Sequence, residues 1–216
     1  DKVGEVWCYD VSNPSTITPA APPQSSLLLG HTASIITSMV IAGNVIYTSD
    51  RDECIRRSEF PETHIVEGYL LGHTGAVTSF AAPRGDGRFV ASAGADMTVR
   101  VWTKDGQEVG NHAVTGNDKN PASNLAISPD SSTIVFTRDD ESSISILAIN
   151  EAGVTSLTSS VSTSGQPVSV SFLPGSTHRF AVLVGGGSFV EVFELVDGGA
   201  KKVPDVGWVK GVREVA

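Results

Sequence analysis

Two histidines occupy the same local frame, Gly30-His31 and Gly72-His73, and each is followed at a distance by a hydroxyl and a carboxylate: Thr48 and Asp52 after His31, Ser92 and Asp96 after His73. A serine, a histidine and an aspartate can form a nucleophilic relay, in which the imidazole takes the hydroxyl proton and the carboxylate fixes its tautomer. The same residue types can also form a buried lock, because a carboxylate removed from water demands donors, and an imidazole, a hydroxyl and an indole supply or relay them. Recurrence favours the lock, since a catalytic centre has no need to be built twice. Trp102 adds an indole to the second copy, whereas Ser58 stands at the tryptophan's place in the first.

The first copy also carries a dense run of charge, with Arg51, Asp52, Glu53, Arg56 and Arg57 inside seven residues. Consecutive arginines on a strand point to opposite faces, so Arg56 and Arg57 cannot share one environment. Such a run reads either as a solvated edge with Arg-carboxylate pairs or as a contact for another protein. Other signals carry less. Gly185-Gly186-Gly187 precedes a strand-like stretch rather than a helix, so it is a turn and not a phosphate cradle. Arg84-Gly85-Asp86 falls in an expected hairpin, and Lys201-Lys202, with Lys210 and Arg213, is a short solvated basic group. No Walker loop, zinc-peptidase helix, nucleophile elbow or Cys/His metal spacing is present in the sequence, which points to a chain with no catalytic site, no cofactor and no metal of its own.

The elements that must position these residues come from a repeat. The two Gly-His pairs lie 42 residues apart, the period of a propeller blade. After His73 come Ala76 to Phe80, a turn, Phe89 to Ala93, and the run Asp96 to Trp102; after His31 come Ile35 to Val40, Asn44 to Thr48, and Asp50 to Ser58, with Asp52 in register with Asp96. Two looser copies follow without Gly-His: Ser123 to Ile127, Thr133 to Thr137 and Ser143 to Leu147, then Val168 to Phe172, Phe180 to Val184 and Val190 to Leu195. Val, Ile, Thr and Ser dominate the apolar runs and helical periodicity is nearly absent. The expectation is an all-β WD-repeat β-propeller, an incomplete fragment of about four and a half blades arranged as an open arc. The boundaries read as residues 1–11 for the end of a truncated blade, 26–60, 67–105, 106–150 and 153–197 for four blades, and 198–216 for a tail or the start of another blade. Ser12 to Gln24 and Gly110 to Ala122 read as surface loops.

Composition narrows the partners. A formal net charge of −9 argues against a broad electrostatic hold on nucleic acid, so the partner is expected to be a protein. Cys8 and Cys54 form no C-x-x-C pair, which suits a reducing compartment. No run approaches the ~18 apolar residues of a membrane span, so no membrane partner is expected.

Leu28-Leu29-Gly30-His31, then Ile46-Tyr47-Thr48-Ser49-Asp50-Arg51-Asp52-Glu53-Cys54-Ile55-Arg56 and Phe60-Pro61, resemble the WD-repeat non-catalytic subunit of the tRNA (guanine-7-)-methyltransferase. The likeness includes Asp1 to Val6 and Tyr69 to His73 and so covers roughly the first hundred residues. The resemblance implies a scaffold that docks and supports a separate catalytic methyltransferase subunit, with S-adenosylmethionine on that partner, tRNA reached through the complex, and a nuclear location with the cytoplasm as a second site. It places the docking contacts at Arg51 to Arg57: Arg51 and Arg56 as donors to carboxylates, Glu53 as acceptor, Arg57 beside them and Asp52 serving the turn. On that reading, reversing Arg56 to Glu weakens docking and leaves the fold intact. Cys54 and Arg57 depart from the family pattern. The competing reading is a WD-repeat scaffold of another pathway.

Overall fold

The computed structural model describes residues 4–12, 25–32, 34–85, 87–114, 120–186, 189–197 and 199–204. Among them every regular element is a strand. In chain order these are β1 (Glu5–Tyr9), β2 (Ser25–Gly30), β3 (Ile36–Ala42), β4 (Val45–Asp50), β5 (Ile55–Glu59), β6 (Val66–Leu70), β7 (Val77–Ala81), β8 (Phe89–Gly94), β9 (Thr98–Thr103), β10 (Glu108–Ala113), β11 (Ala122–Ile127), β12 (Thr133–Arg138), β13 (Ser143–Ile149), β14 (Thr155–Ser162), β15 (Gln166–Phe172), β16 (Arg179–Gly185), β17 (Val190–Val196) and β18 (Gly199–Lys202). β1 and β2 pair as a two-stranded ribbon, and the remaining strands form four antiparallel sheets, β3 to β6, β7 to β10, β11 to β14 and β15 to β18, each a simple meander. The innermost strands β3, β7, β11 and β15 lie side by side, which makes the four sheets successive blades of a propeller.

Each hydrophobic core lies between two blades rather than within one. Tyr47, Ile55 and Leu70 of the first four-stranded blade meet Phe80, Val90 and Trp102 of the second. Ala91 and Val101 of the second meet Leu125, Ile134 and Phe136 of the third, and Val135, Ile144 and Ile146 of the third meet Phe180, Val182 and Phe193 of the fourth. The alternation along β12, with Ile134 and Phe136 toward one neighbour and Val135 toward the other, is the period-2 pattern of a strand buried on both faces. All three side chains are at most 2% exposed.

The blades are offset by one strand from the repeats read in the sequence. The stretch that leads into each Gly-His pair is not the start of the blade that follows but the outer strand of the blade before: Leu28-Leu29-Gly30 belongs to β2, which pairs with β1, and Leu70 closes β6 in the first four-stranded blade. The sheets therefore run over 36–70, 77–113, 122–162 and 166–202, not 26–60, 67–105, 106–150 and 153–197. Part of the expected loop Gly110 to Ala122 is likewise strand, since Gly110 to Ala113 pair with Val101 to Thr98. Outer strands escape pattern reading because half of their surface faces water; β14 reads TSLTSSVS with five exposed positions. The expected loop at Ser12 to Gln24 falls mostly outside the described residues, as do Lys210, Arg213 and Asp86.

Candidate partner-docking site

The lock around His73 is complete. The Trp102 indole N–H donates to Ser92 Oγ at 2.8 Å, Ser92 Oγ lies 2.7 Å from His73 Nε2, and His73 Nδ1 lies 3.0 Å from Asp96 Oδ2. Because Ser92 accepts from the indole, its own O–H is free to donate to Nε2, and Nδ1–H then donates to the carboxylate. Asp96 also accepts from the Thr74 and Thr98 amides and the Thr98 hydroxyl. Burial pushes the His73 pKa down, against the pull of Asp96. Burial would raise the Asp96 carboxyl, but the donors from Thr74, Thr98 and His73 outweigh it and hold the carboxyl below its ordinary value. The order Ser-His-Asp is that of a hydrolytic triad, yet Ser92 is fully buried and its oxygen is engaged on two sides, so no substrate carbonyl can reach it.

Gly72 has its own reason. A methyl there would sit 2.7 Å from Arg100 Nη1, 2.7 Å from Glu108 Oε2 and 3.0 Å from the Trp102 ring. The glycine lets the chain pass over the tryptophan edge and the Arg100–Glu108 ion pair, which closes at 2.7 Å.

Around His31 one assignment changes. Nε2 meets Thr48 Oγ1 at 2.7 Å, as Ser92 meets its histidine, but the carboxylate on Nδ1 is Asp50 at 2.8 Å and not Asp52. Asp52 does occupy the place of Asp96: Thr48 faces Arg56 as Ser92 faces Arg100, and counting on from either pair brings the two aspartates together. The difference lies two residues earlier. Gly94 stands where Asp50 stands, and a Cβ on Gly94 would fall on the His73 ring. With a side chain at that position, the first blade delivers its carboxylate from the strand end instead of the turn. Asp50 also accepts from the Asp52 and Cys54 amides at 2.9 and 3.0 Å, so it organises the turn that Asp52 was expected to serve, and Asp52 itself is exposed.

The missing tryptophan is replaced by an arginine. Arg56 Nε donates to Ser58 Oγ at 2.8 Å, Nη1 to the Gly30 carbonyl at 3.2 Å and Nη2 to the Thr63 carbonyl at 2.8 Å. Thr63 in turn donates its hydroxyl to the Leu28 carbonyl. The guanidinium thus spans the space above Ser58 and fastens the β1–β2 ribbon to the first four-stranded blade. Arg57, on the opposite face, pairs with Glu67 at 2.7 Å. Arg56 is thus engaged within the chain through all three guanidinium nitrogens and Arg57 through Nε, so each has a structural role besides its expected place among the docking contacts; sequence reading missed the partner Glu67 because the outer strand that supplies it was not recognised.

What remains open is the turn between β4 and β5. Arg51, Asp52 and Glu53 are all exposed, and among the described residues none of their side chains has a hydrogen-bond or ion-pair partner. The backbone that presents them is fixed at both ends, by Asp50 and by the Arg51 amide on the Ile35 carbonyl at 3.1 Å, and Glu53 holds φ of +70° as Met97 holds +62° in the matching turn. Next to it, burial and the Asp50 charge, opposed by Arg56, push the Cys54 thiol up to about 11, so it is no nucleophile at neutral pH.

The comparisons with known proteins decide the family. Residues 17–185 match the family model described as "tRNA methyltransferase TRM82 WD40 domain". The chain belongs to this family. Curated relatives share 39% identity over 90 residues with the "tRNA (guanine-N(7)-)-methyltransferase non-catalytic subunit trm82" of Aspergillus oryzae, covering 37% of this chain and 18% of that protein, and 35% over 117 residues with the "tRNA (guanine-N(7)-)-methyltransferase non-catalytic subunit wdr4" of Xenopus laevis, covering 53% and 27%. The alignment with each of these relatives therefore spans roughly a fifth to a quarter of its length. Among solved structures, a chain of the mitotic checkpoint complex superposes with a TM-score of 0.70 at 19% identity over 95% of this chain and 59% of that one, and U3-55K with 0.65 at 20% over 81% and 53%. At that identity these establish the WD40 propeller fold alone.

Proposed function

We propose that this WD40 domain is the docking part of a non-catalytic subunit of tRNA guanine-N7-methyltransferase, holding a separate catalytic subunit that carries S-adenosylmethionine, with tRNA engaged through the complex. The observation that supports this most is the pre-set turn Arg51-Asp52-Glu53, whose charges are exposed and unpaired in a family whose relatives are named as non-catalytic subunits of that enzyme. Arg51 donates in a planar fork to a partner carboxylate, and Glu53 accepts from a partner cation. Among the described residues no group of His, Cys, Asp and Glu is placed to hold a metal ion, and no helix is long and apolar enough to cross a membrane. The nucleus, with the cytoplasm second, is the proposed location; two free cysteines suit a reducing compartment, and imaging of the tagged full-length protein tests it.

Charge reversal tests the turn. Arg51→Glu and Glu53→Arg each weaken affinity for the catalytic subunit by ten-fold or more, as expected of a close interfacial charge pair, and leave the melting temperature unchanged. Isothermal titration with purified subunits reads the first and calorimetry the second; unaltered affinity of both variants removes the turn from the interface.

A further inference from the structure

The outer strand β6 departs from its counterparts where it passes the β4–β5 turn. Tyr69 lies opposite Arg56 and Leu70 opposite Ile55, so Leu71 comes level with Cys54, the residue that follows Arg51-Asp52-Glu53. Leu70 and Gly72 face the second blade: Leu70 packs in one core with Val90 and Trp102, and a Cβ on Gly72 would sit 3.0 Å from the Trp102 ring. Alternation therefore turns Tyr69 and Leu71 to the other face, where they are 51% and 69% exposed. Neither joins a core cluster, and the Tyr69 hydroxyl has no hydrogen-bond partner among the described residues.

The other blades show that a preceding blade does not cover these two places. In the second blade they are held by Asn111 and Ala113, opposite Arg100 and Thr98, and in the third by Ser160 and Ser162, opposite Ser145 and Ser143. All four of these side chains are exposed, although a complete four-stranded blade precedes the blade that carries them. Where those blades present small or polar residues to water, the first presents an aromatic ring and a branched aliphatic chain, beside a turn whose charges are unpaired.

We infer that Tyr69 and Leu71 are the apolar anchors of the docking surface, seated in an apolar depression of the catalytic subunit with Arg51 and Glu53 as the charged rim, an assignment that rests on the role proposed above for the turn. A stable protein interface takes about 800 Å² from each partner, more than three turn residues offer, so a partner held at the turn covers the surface beside it. Strand β6 is that surface, one strand spacing of about 4.8 Å from β5. Rim charges steer the encounter and fix orientation, whereas a desolvated aromatic anchor carries most of the holding energy. Tyrosine suits the place, because its ring buries a large area with few rotatable bonds and its hydroxyl can remain at the wet edge. The backbone beneath both side chains is already set, by the β5 pairing at Tyr69 and Leu70 and by the close fit of Gly72 over Trp102, so docking orders little that is loose.

Isothermal titration of the full-length protein with purified catalytic subunit tests the anchors, using the double variant Tyr69→Asn, Leu71→Ala, which installs the residues that the second blade carries at these places. The double variant is expected to bind about ten-fold or more weakly than wild type, with an unchanged melting temperature. Its heat-capacity change of binding is expected to be less negative, the mark of lost apolar burial. The deficit persists in about 0.5 M salt, whereas that of Arg51→Glu shrinks there. Hydroxyl-radical footprinting of the wild-type complex reads the same surface without a substitution, and Tyr69 and Leu71 are expected to be protected from oxidation. Unchanged affinity of the double variant, or oxidation of Tyr69 as fast in the complex as in the free protein, overturns the anchors; the turn keeps its role if Arg51→Glu still weakens binding. Failure of the wild-type protein to bind the catalytic subunit overturns both.

Discussion

Asp50 and Asp52 differ by two positions and by almost everything that matters energetically. Asp50 is buried and accepts from His31 and two amides, so Asp50→Ala strands three donors and is expected to cost about 2 to 4 kcal/mol in chemical unfolding. Asp52→Ala is expected to stay within about 0.5 kcal/mol. Equal losses would reverse the assignment. Arg56→Glu places a carboxylate among the Gly30 and Thr63 carbonyl oxygens and is expected to destabilise by about 3 kcal/mol, with early protease cleavage of the β1–β2 ribbon, rather than to leave the fold intact. The lock around His73 sets a pH dependence. Its folded pKa lies below the ordinary imidazole value of 6.5, so the unfolded chain binds the proton more readily and stability falls as pH drops through and below 6.5. Asp96, also depressed, holds its contribution above the ordinary carboxylate value and loses it at still lower pH. Both act in one direction, so the melting temperature measured from pH 7.5 to 4 declines, and His73→Gln flattens the upper part of that decline. The residue types of the lock were legible in the sequence; which aspartate serves His31 was not, because register aligns Asp52 with Asp96 and only the space beside the imidazole, open at Gly94 and filled at Asp50, distinguishes them.

At the scale of elements, the four blades keep one register and exchange what fills it. The place of Trp102 is taken by Ser58, Leu147 and Phe193 in the other blades, and the place of Arg100 by Arg56, Ser145 and Glu191. In the fourth blade the ion pair is reversed, with Glu191 on the third strand and Lys202 on the outer strand at 2.5 Å, where the second blade has Arg100 and Glu108. Burial would raise the Glu191 carboxyl, but Lys202 and Ser164 hold it below its usual value. The glycine before each histidine is therefore not equally demanded. Gly72→Ala collides with the Arg100–Glu108 pair and the tryptophan and is expected to cost about 1 to 3 kcal/mol, whereas a Cβ on Gly30 finds its nearest atom at 3.7 Å and Gly30→Ala is expected to stay within about 0.5 kcal/mol. Thermal unfolding of the two variants separates them. The middle strands β4, β8 and β12 could be read from the sequence because they are buried on both faces; the outer strands β6, β10, β14 and β18 could not, which is why the repeats were read one strand out of step with the sheets.

For the whole molecule, the same four-stranded unit accounts for the cores between blades and for the turn that presents Arg51 and Glu53 at one end. The propeller was legible from a single 42-residue spacing, and the family from the stretch around Arg51; the division of labour among the arginines required knowing which strand lies beside which. The most direct test of the central claim is purification of the full-length protein from its own cell extract, with recovered partners identified by mass spectrometry and the eluate assayed for guanine-N7 methylation of tRNA. The account predicts a co-purifying methyltransferase and S-adenosylmethionine-dependent activity that is lost from the Arg51→Glu eluate. Recovery of other partners with no tRNA methylation would contradict it.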